Sequence, residues 1–221
     1  NVLKKLPYGV VVVSGTNGKT TTTKMITELF ESQGLKVFTN KTGSNFVRGV
    51  ISAILKNIKI TGKFDFDIAG VELDEAHAVK FSEVALIDYA LLLNVMRDQL
   101  DRFGEIDHTA ECLQKVAAAT KKAVILNRED PRVGKISAKS TVYFGLSDNL
   151  IAEFPSDDDL LSKKKTKAST KPALVKLEKL GKKATFSIEK QSFTTSLKVK
   201  GIYNAFNAAG ALALVKTVLP K

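Results

Sequence analysis

Short apolar runs alternate with amphipathic segments along the first two thirds of the chain. In the amphipathic segments apolar residues recur about every three or four positions, which is typical of helices packed on one side. The runs between them are predicted to be strands, at residues 10–14, 35–40, 66–73, 89–95, 122–127 and 141–146. This alternation predicts an α/β fold in which a mostly parallel sheet carries helices on both faces.

The pattern changes after about residue 147. Residues 156–173 are polar and charged and are predicted to form a loop, whereas residues 173–199 alternate apolar and polar positions around Gly181, which is typical of antiparallel strands. Residues 201–219 predict a final, alanine-rich helix. We therefore expect one domain over residues 1–221, with a core of about 8–147 and 196–221. A variable, lysine-rich insertion with a small antiparallel sheet is expected at about 148–195.

A glycine-bracketed turn joins the first strand to the first helix. It consists of Gly15, Thr16, Asn17, Gly18, Lys19, Thr20 and Thr21. A helix N-terminus favours an anion, and glycines let a phosphate approach the backbone. Lys19 can reach the outer phosphates of a nucleotide, and the hydroxyl of Thr20 can bind Mg²⁺. The spacing is shorter than in the general phosphate loop because Val13 stands at the first glycine position, and a turn without a ligand is the alternative.

The following strands also end in polar residues. These strand ends lie at the edge of the sheet where folds of this class bind ligands. Glu72 ends the third strand, and a carboxylate there can hold Mg²⁺ directly or through water. The fourth strand leads into Asn94 and then Arg102, which we interpret as an active-site loop. An ordinary acidic turn at Glu72, and a helix cap with salt bridges after the fourth strand, are the alternatives.

Several other polar residues allow two interpretations. For Asp74, Glu75 and His77 a surface role is as plausible as a functional one, and His108 is interpreted as a surface or capping residue. Asn127 could contact a nucleotide at the end of the fifth strand. Asn204 and Asn207 share one face of the final helix, where they could meet an adenine edge or take part in helix packing.

Composition narrows the class of protein. No apolar run approaches the roughly 20 residues of a membrane span, and no secretory signal is visible. The single cysteine, Cys112, excludes an internal disulfide and fits a reducing cytoplasm; it is predicted to lie in the core or at its boundary. The net charge is +11, and lysines crowd residues 163–183, as a solvated surface or as a binding patch. No motif interleaves aromatic and basic residues, so no nucleic-acid partner is expected.

Five segments, in this order, resemble the central ATP-binding domain of the Mur ligases: GTNGKTT, VELDE, NVMRDQLDRFGEID, NREDP and GIYNAFNAAGA. The string RDQLDRFGEID resembles the MurT-type branch in particular. Gln99 stands where amino-acid-adding Mur ligases carry a metal-binding histidine, and Leu113 falls near the place of their carbamylated lysine. The likeness covers nearly the whole chain except about residues 150–195.

The resemblance implies a cytoplasmic, ATP- and Mg²⁺-dependent ligase of peptidoglycan biosynthesis, with contact at the inner membrane face as an option. A MurT-like protein activates the glutamate carboxylate of a lipid II-type precursor as an acyl phosphate, and a GatD-like glutaminase supplies ammonia. Residues 15–21 would bind the nucleotide, and Thr20 and Glu72 would hold the metal. Lys19, Glu72, Asn94 and Arg102 would serve catalysis, and Asn204 and Asn207 would border adenine.

The chain also departs from the MurT pattern. The region after residue 146 lacks the four cysteines of the MurT zinc ribbon, so no zinc is expected. The C-terminal Mur domain is missing, and the chain opens without methionine, so we expect a piece of a longer enzyme that turns over poorly by itself. Another Mur or folylpolyglutamate-type ligase, or a nucleotide-binding interaction module without catalysis, are the alternative functions.

Overall fold

A computed structural model describes residues 2–40, 45–96, 105–151 and 169–220. The strands are β1 Gly9–Ser14, β2 Val37–Thr39, β3 Ile68–Glu72, β4 Tyr89–Leu92, β5 Ala123–Asn127, β6 Thr141–Leu146, β7 Val175–Leu180, β8 Ala184–Ile188 and β9 Gln191–Thr195. The helices are α1 Lys19–Ser32, α2 Val47–Asn57, α3 Glu75–Val84, α4 Glu105–Ala119, α5 Asp148–Ile151 and α6 Ile202–Val218. Short 3-10 turns lie at Val2–Lys5 and Val133–Lys135.

These strands form one sheet in the order β2-β3-β1-β4-β5-β6-β7-β8-β9. All pairs from β2 to β7 are parallel, and the last two pairs are antiparallel. The predicted fold class is therefore confirmed. Strands β7, β8 and β9 belong to the main sheet, because β7 pairs in parallel with β6 and so adds these strands to its edge.

The valine run of β1 is apolar at every position because both faces of the strand are covered. Val11 and Val13 belong to a core shared with α1 and α6, whereas Val10 and Val12 belong to a second core beneath α2, α3 and α4. On its two edges β1 pairs with β3 and β4. A strand held in this way gives the turn that follows it a rigid starting point.

The final helix α6 is apolar around most of its circumference and lies against α1, β6 and β7. Its alanines permit this close packing. Gly210 lies so near the Phe144 ring that a Cβ there would meet ring carbons at 3.0–3.2 Å. The helix is thereby brought beside the turn that follows β1, which matters for the site described below.

A buried arginine ties β5 to β6. Arg128 follows β5 and pairs with Glu129 (Nε to Oε1, 2.6 Å), and its guanidinium donates to the carbonyl oxygens of Leu146 and Lys171, each at 2.7 Å. The same Glu129 oxygen accepts the backbone N–H of Leu146 at 3.0 Å. A Cβ at Gly145 would collide with the Arg128 side chain, so only glycine leaves room for this network.

Gly145→Ala is therefore expected to lower the free energy of unfolding by about 1–3 kcal/mol, because it displaces a buried charge pair from its partners. Denaturant unfolding of the variant and the parent measures the difference. Gly70→Ala is the matched control, since Gly70 also lies in a parallel strand but has nothing within 4 Å of an added Cβ. Equal stability of Gly145→Ala and the parent would contradict the role assigned to Arg128.

Candidate functional site

The turn after β1 presents a helix N-terminus that no side chain caps. Gly18 is the N-cap of α1, with φ of 88°, and Gly15 has φ of 132°; both values lie in the region that favours glycine. The first turn of α1 contains no acidic residue. The start of α1 therefore carries partial positive charge that no acidic residue of its first turn offsets, at the place where the sequence predicts a bound phosphate.

The turn is held from the end of β4 by Asn94. Its Oδ1 accepts the N–H of Asn17 at 2.9 Å, and its Nδ2 donates to the Asn17 carbonyl oxygen at 3.0 Å. The backbone of Asn94 accepts the N–H of Thr16 at 3.0 Å, and the hydroxyl of Thr16 accepts the N–H of Met96 at 3.1 Å. A Cβ at Gly15 would lie only 3.0 Å from the Asn94 backbone. In this structure Asn94 therefore fixes the conformation of the loop through hydrogen bonds to its backbone.

The ammonium group of Lys19 turns back over the loop. Its Nζ donates to the carbonyl oxygens of Gly15 (2.7 Å) and Thr16 (3.2 Å), and it forms an ion pair with Oδ1 of Asp74 at 3.2 Å. The Lys19 side chain is only 13% exposed. A largely buried cation lies beside an uncapped helix start, which is the electrostatic environment that a phosphate requires.

Thr20 and Glu72 meet at the edge of the sheet. The Thr20 hydroxyl donates to Oε1 of Glu72 at 3.0 Å. Glu72 is 5% exposed, and its backbone is fixed by Asn40, which accepts the Glu72 N–H at 3.0 Å and donates to the Glu72 carbonyl at 2.8 Å. Asn40 follows β2 and extends the strand pairing through its side chain. Pattern analysis did not single it out, because an asparagine at a strand end resembles an ordinary turn residue.

This pair fits the metal that the sequence predicts. Magnesium prefers oxygen ligands and is commonly bound through one or two carboxylates together with substrate phosphates. Thr20 and Glu72 supply a hydroxyl and a carboxylate oxygen in contact with each other. Within the described ranges no group of three or more His, Cys, Asp or Glu side chains is arranged to hold a metal ion, so phosphate and water would have to complete a coordination sphere here.

The two asparagines of α6 have different surroundings. Asn207 is buried, and its amide lies where a Cβ of Gly18 would be, so it packs directly on the phosphate loop. Asn204 is half-buried and donates to the Lys200 carbonyl oxygen at 2.7 Å. Thr21 is half-buried in the first turn of α1. Arg102, like Gln99, lies outside the described residues.

The loop after β5 supports the site from beneath. Asn127 donates to the Leu93 carbonyl oxygen at 2.9 Å, and its Oδ1 accepts backbone N–H groups that follow it in the turn. Asp130 accepts the N–H groups of Val95, Arg132 and Val133, each at 2.8 Å. Burial raises the pKa of Asp130, and these hydrogen bonds act in the opposite direction. Both side chains therefore fix the strand ends that carry Asn94.

A cleft of about 500 Å³ opens beside Glu72, between α1 and the end of β2. It is lined by polar residues: Thr20, Thr23, Lys24, Thr27, Glu28, Glu31, Thr39, Asn40, Asn45 and Glu72. Among the described residues, three buried oxygens of this lining have no hydrogen-bond partner: Oγ1 of Thr23, Oγ1 of Thr39 and Oδ1 of Asn45. Buried polar atoms are normally paired, so the cleft is suited to a polar ligand or to water.

Two histidines among the remaining candidates contact neighbouring side chains. The centroids of the His77 and Phe46 rings lie 4.5 Å apart in an edge-on arrangement, and Nε2 of His108 lies 3.6 Å from Sγ of Cys112. Cys112 is buried, as predicted, and burial raises the pKa of its thiol. In the described part of the chain, no helix combines the length and the apolar character that a membrane crossing requires.

A phosphate-loop turn after β1, a carboxylate from β3 and a loop after β4 meet at one edge of a mostly parallel sheet. This arrangement is that of a Mur ligase central domain, and the match to known families agrees with it. The Mur ligase middle domain matches residues 13–215. The chain therefore belongs to the Mur ligase family, and the resemblance seen in its motifs is confirmed.

Individual relatives show how much of a longer protein is matched. The MurT subunit of lipid II isoglutaminyl synthase (glutamine-hydrolyzing) from Staphylococcus aureus (strain N315) is 32% identical over 151 residues, which covers 66% of this chain and 34% of the relative. A UDP-N-acetylmuramoylalanine–D-glutamate ligase from Paraburkholderia xenovorans (strain LB400) is 27% identical over 222 residues, covering 95% of this chain and 43% of the relative. The chain thus spans less than half the length of either protein.

Solved structures show the same fold. The MurF ligase from Thermotoga maritima in complex with ADP aligns with a TM-score of 0.74 at 21% identity, covering 99% of this chain and 47% of that chain. At this identity the likeness concerns the fold alone.

Glu72→Gln is expected to weaken Mg²⁺-dependent ATP binding by about tenfold or more, because the amide keeps the size of the carboxylate and removes its charge. Calorimetric titration with ATP, with and without Mg²⁺, measures the effect. Glu83→Gln, on the exposed end of α3, is the matched control. If Mg²⁺ strengthens ATP binding equally in Glu72→Gln and the parent, Glu72 is not a metal ligand.

Asn94→Ala is expected to weaken ATP binding by about tenfold, because the loop loses two hydrogen bonds that hold Asn17. Unlike Glu72→Gln, it should keep the Mg²⁺ dependence. The same titration measures both properties. Asn57→Ala removes an amide that donates to the Ala53 carbonyl oxygen within α2, and it serves as the control. An unaltered affinity in Asn94→Ala would rule out the shaping role of Asn94.

Proposed function

We propose that this chain is the nucleotide-binding core of an ATP-dependent ligase that activates a carboxylate for amide-bond formation. The observation that carries the proposal is the contact of Thr20 with Glu72 beside an uncapped helix start, in a chain of the Mur ligase family. A helix start, a buried ammonium and a metal-binding oxygen pair together neutralise the charge of a triphosphate. Phosphoryl transfer depends mainly on such positioning and neutralisation.

Each residue has a distinct part in this function. The N–H groups at the start of α1 bind phosphate oxygens, and Lys19 turns from the Gly15 and Thr16 carbonyls towards the outer phosphates. Asp74 keeps the Lys19 ammonium in place before a nucleotide arrives. Thr20 and Glu72 would hold Mg²⁺, which when bound supplies charge stabilisation for the phosphoryl group. Asn207 packs against the loop from α6, on the side where a base could lie, and Asn204 lies one turn earlier.

The cleft beside Glu72 is the proposed entrance for the substrate carboxylate. Thr20 and Glu72 are among its lining residues, so a carboxylate held there would lie beside the proposed phosphate and metal site. In the reaction, a carboxylate oxygen attacks the γ-phosphorus and ADP leaves. An amine nitrogen then attacks the carbonyl carbon of the acyl phosphate, phosphate leaves, and the nitrogen loses a proton. The unpaired oxygens of Thr23, Thr39 and Asn45 would bind polar groups of the substrate.

The MurT-like form of this reaction is the specific proposal. The relative from Staphylococcus aureus is named for lipid II and for glutamine hydrolysis, which supports a lipid II-type substrate and ammonia from a GatD-like glutaminase partner. Leu113 supports it as well: it lies near the place of the carbamylated lysine of amino-acid-adding Mur ligases, and it is fully buried in the core. A protein with this substrate and ATP as its cofactor would act in the cytoplasm.

The domain organisation remains a proposal of the same kind. Residues of about 8–147 and 196–221 would form the ATP-binding core, and about 148–195 a variable insertion. The chain spans about a third of the MurT relative, and Arg102 would contribute to the active site from the loop after β4.

The decisive experiment combines the full-length protein and a candidate glutaminase with lipid II, ATP and glutamine. Mass spectrometry should show a stem peptide in which a carboxyl has become an amide, a change of about one mass unit. Lys19→Ala should abolish the product, because the phosphates lose their buried cation. Lys139→Ala, a change at an exposed lysine just before β6 that does not line the cleft, removes the same charge and serves as the control.

Other products would decide between the alternatives. Incorporation of a free amino acid in place of ammonia would identify another Mur or folylpolyglutamate-type ligase and would contradict the MurT-like proposal. ATP binding without any ligated product would indicate a nucleotide-binding interaction module. Absence of ATP binding would overturn the proposal as a whole.

A further inference from the structure

The outer face of α2 and the turn after it expose large apolar side chains. Leu55 is 67% exposed, Ile51 50% and Phe46 49%, and Ile60 is fully exposed in the turn. The core side of α2 is formed by Gly49, Val50 and Ala53, so Ile51 and Leu55, four residues apart, point away from it on one face. We call the exposed face of residues 45–63 the α2 surface.

All charged side chains of the α2 surface are cations. Residues 45–63 contain no Asp or Glu, and their charged side chains are Arg48, Lys56, Lys59 and Lys63, all exposed. The carboxylate nearest in sequence is Asp65, which is shared by three lysines, with Nζ–Oδ distances of 3.3 Å to Lys36, 3.5 Å to Lys63 and 3.9 Å to Lys59. This cluster therefore keeps a net positive charge.

The pKa of Asp65 is held below its usual value, first by the hydrogen bond from Lys36 and then by the charges of Lys36, Lys63 and Lys59. The carboxylate is therefore ionised at neutral pH, and it orders the lysines without neutralising all of them. Contiguous exposed apolar groups, such as Ile51 and Leu55 one turn apart on α2, commonly mark a binding surface.

The α2 surface is joined to the phosphate loop. Asp74, the ion-pair partner of Lys19, donates its N–H to the Asn45 carbonyl at 3.2 Å, and its Oδ1 accepts Nδ2 of Asn45 at 3.5 Å. The next residue is Phe46, whose ring lies on His77. A molecule seated on the α2 surface therefore lies beside the cleft that opens at Glu72 and is also lined by Asn45.

We propose that the α2 surface docks on an anionic lipid bilayer, with Ile51, Leu55 and Ile60 entering the headgroup layer and the surrounding cations contacting lipid phosphates. The proposal extends the proposed function, on which its link to a lipid-bound substrate rests. An amphipathic helix with Lys or Arg around its apolar residues is the pattern of interfacial membrane binding. A protein partner fits less well, because protein interfaces are depleted in lysine.

Docking in this orientation has a consequence for catalysis. A substrate whose lipid part stays in the bilayer would present its polar part next to the surface that binds the membrane. Asn45 lines the cleft and directly precedes Phe46, so the cleft adjoins the α2 surface. Membrane binding would then raise the local concentration of substrate at the cleft without any new contact to the substrate itself.

Vesicle co-sedimentation of the full-length protein tests the proposal without nucleotide or substrate, so its outcome is independent of the ligase activity. The protein should bind vesicles of phosphatidylcholine with phosphatidylglycerol, bind vesicles of phosphatidylcholine alone far less, and be released by high salt. The double variant Lys56→Glu with Lys59→Glu should weaken vesicle binding by about fivefold or more for each lysine replaced. Lys121→Glu with Lys139→Glu, two exposed lysines elsewhere, is the matched control.

Apolar variants test the insertion of side chains. Leu55→Ser with Ile60→Ser should weaken vesicle binding by on the order of tenfold or more, and the unfolding midpoint should stay unchanged because both side chains are exposed. Phe193→Ser with Val199→Ser removes exposed apolar groups far along the chain and should leave binding intact.

Three results would overturn the proposal: no binding to anionic vesicles, equal binding to neutral ones, or unaltered binding in both α2 variants. Loss of glutaminase association in the α2 variants, without vesicle binding by the parent, would assign the surface to a protein instead. Titration of ATP to the same samples shows separately whether the proposed nucleotide site is intact.

Discussion

The candidate site depends on the burial of β1 between two cores and two neighbouring strands. Its side chains alternate between the face of α1 and α6 and the face of α2, α3 and α4, and its edges pair with β3 and β4. Because these strands run in parallel, their carboxyl ends reach the same edge of the sheet. The pairing of Val13 with Glu72 then determines where the Glu72 carboxylate stands, and α1 begins near enough for Thr20 to reach it.

Around this frame, polar contacts convert strand ends into a site. Asn40 fixes the backbone of Glu72, Asn94 holds Asn17, and Asp130 fixes the backbone beyond β4. Each of these side chains forms hydrogen bonds with backbone groups of the loops. Without them, these backbone groups would be hydrogen-bonded to water. The loop is therefore preorganised, and less conformational entropy is lost when a phosphate binds. Lys19 is held in the same way, by two carbonyl oxygens and Asp74, ready to exchange these partners for phosphate.

Charge is distributed unevenly over the molecule. The net charge of the chain is +11, yet the cleft beside α1 is lined by three carboxylates, Glu28, Glu31 and Glu72, with Lys24 as its one ammonium group among the described lining residues. The face of α2, only a few residues from the end of the cleft, carries cations without any carboxylate between residues 45 and 63. A substrate carboxylate in this cleft would therefore need Lys24 and a Mg²⁺ ion beside Glu72 to offset the charges of Glu28 and Glu31.

The amino-acid sequence by itself determined the class of fold, because the two-sided burial of parallel strands and the one-sided burial of helices leave different periods along the chain. It also determined the phosphate loop, since the glycines at residues 15 and 18 permit the positive φ angles of the turn, and Lys19 and Thr20 follow them directly at the start of α1. Only the tertiary structure decided which strand ends meet. The contacts of Asn40 with Glu72, of Asn94 with Asn17 and of Asp74 with Lys19 join residues 32 or more positions apart. The parallel pairing of β7 with β6 was decided in the same way, because strand order depends on packing between distant segments, which no local pattern records.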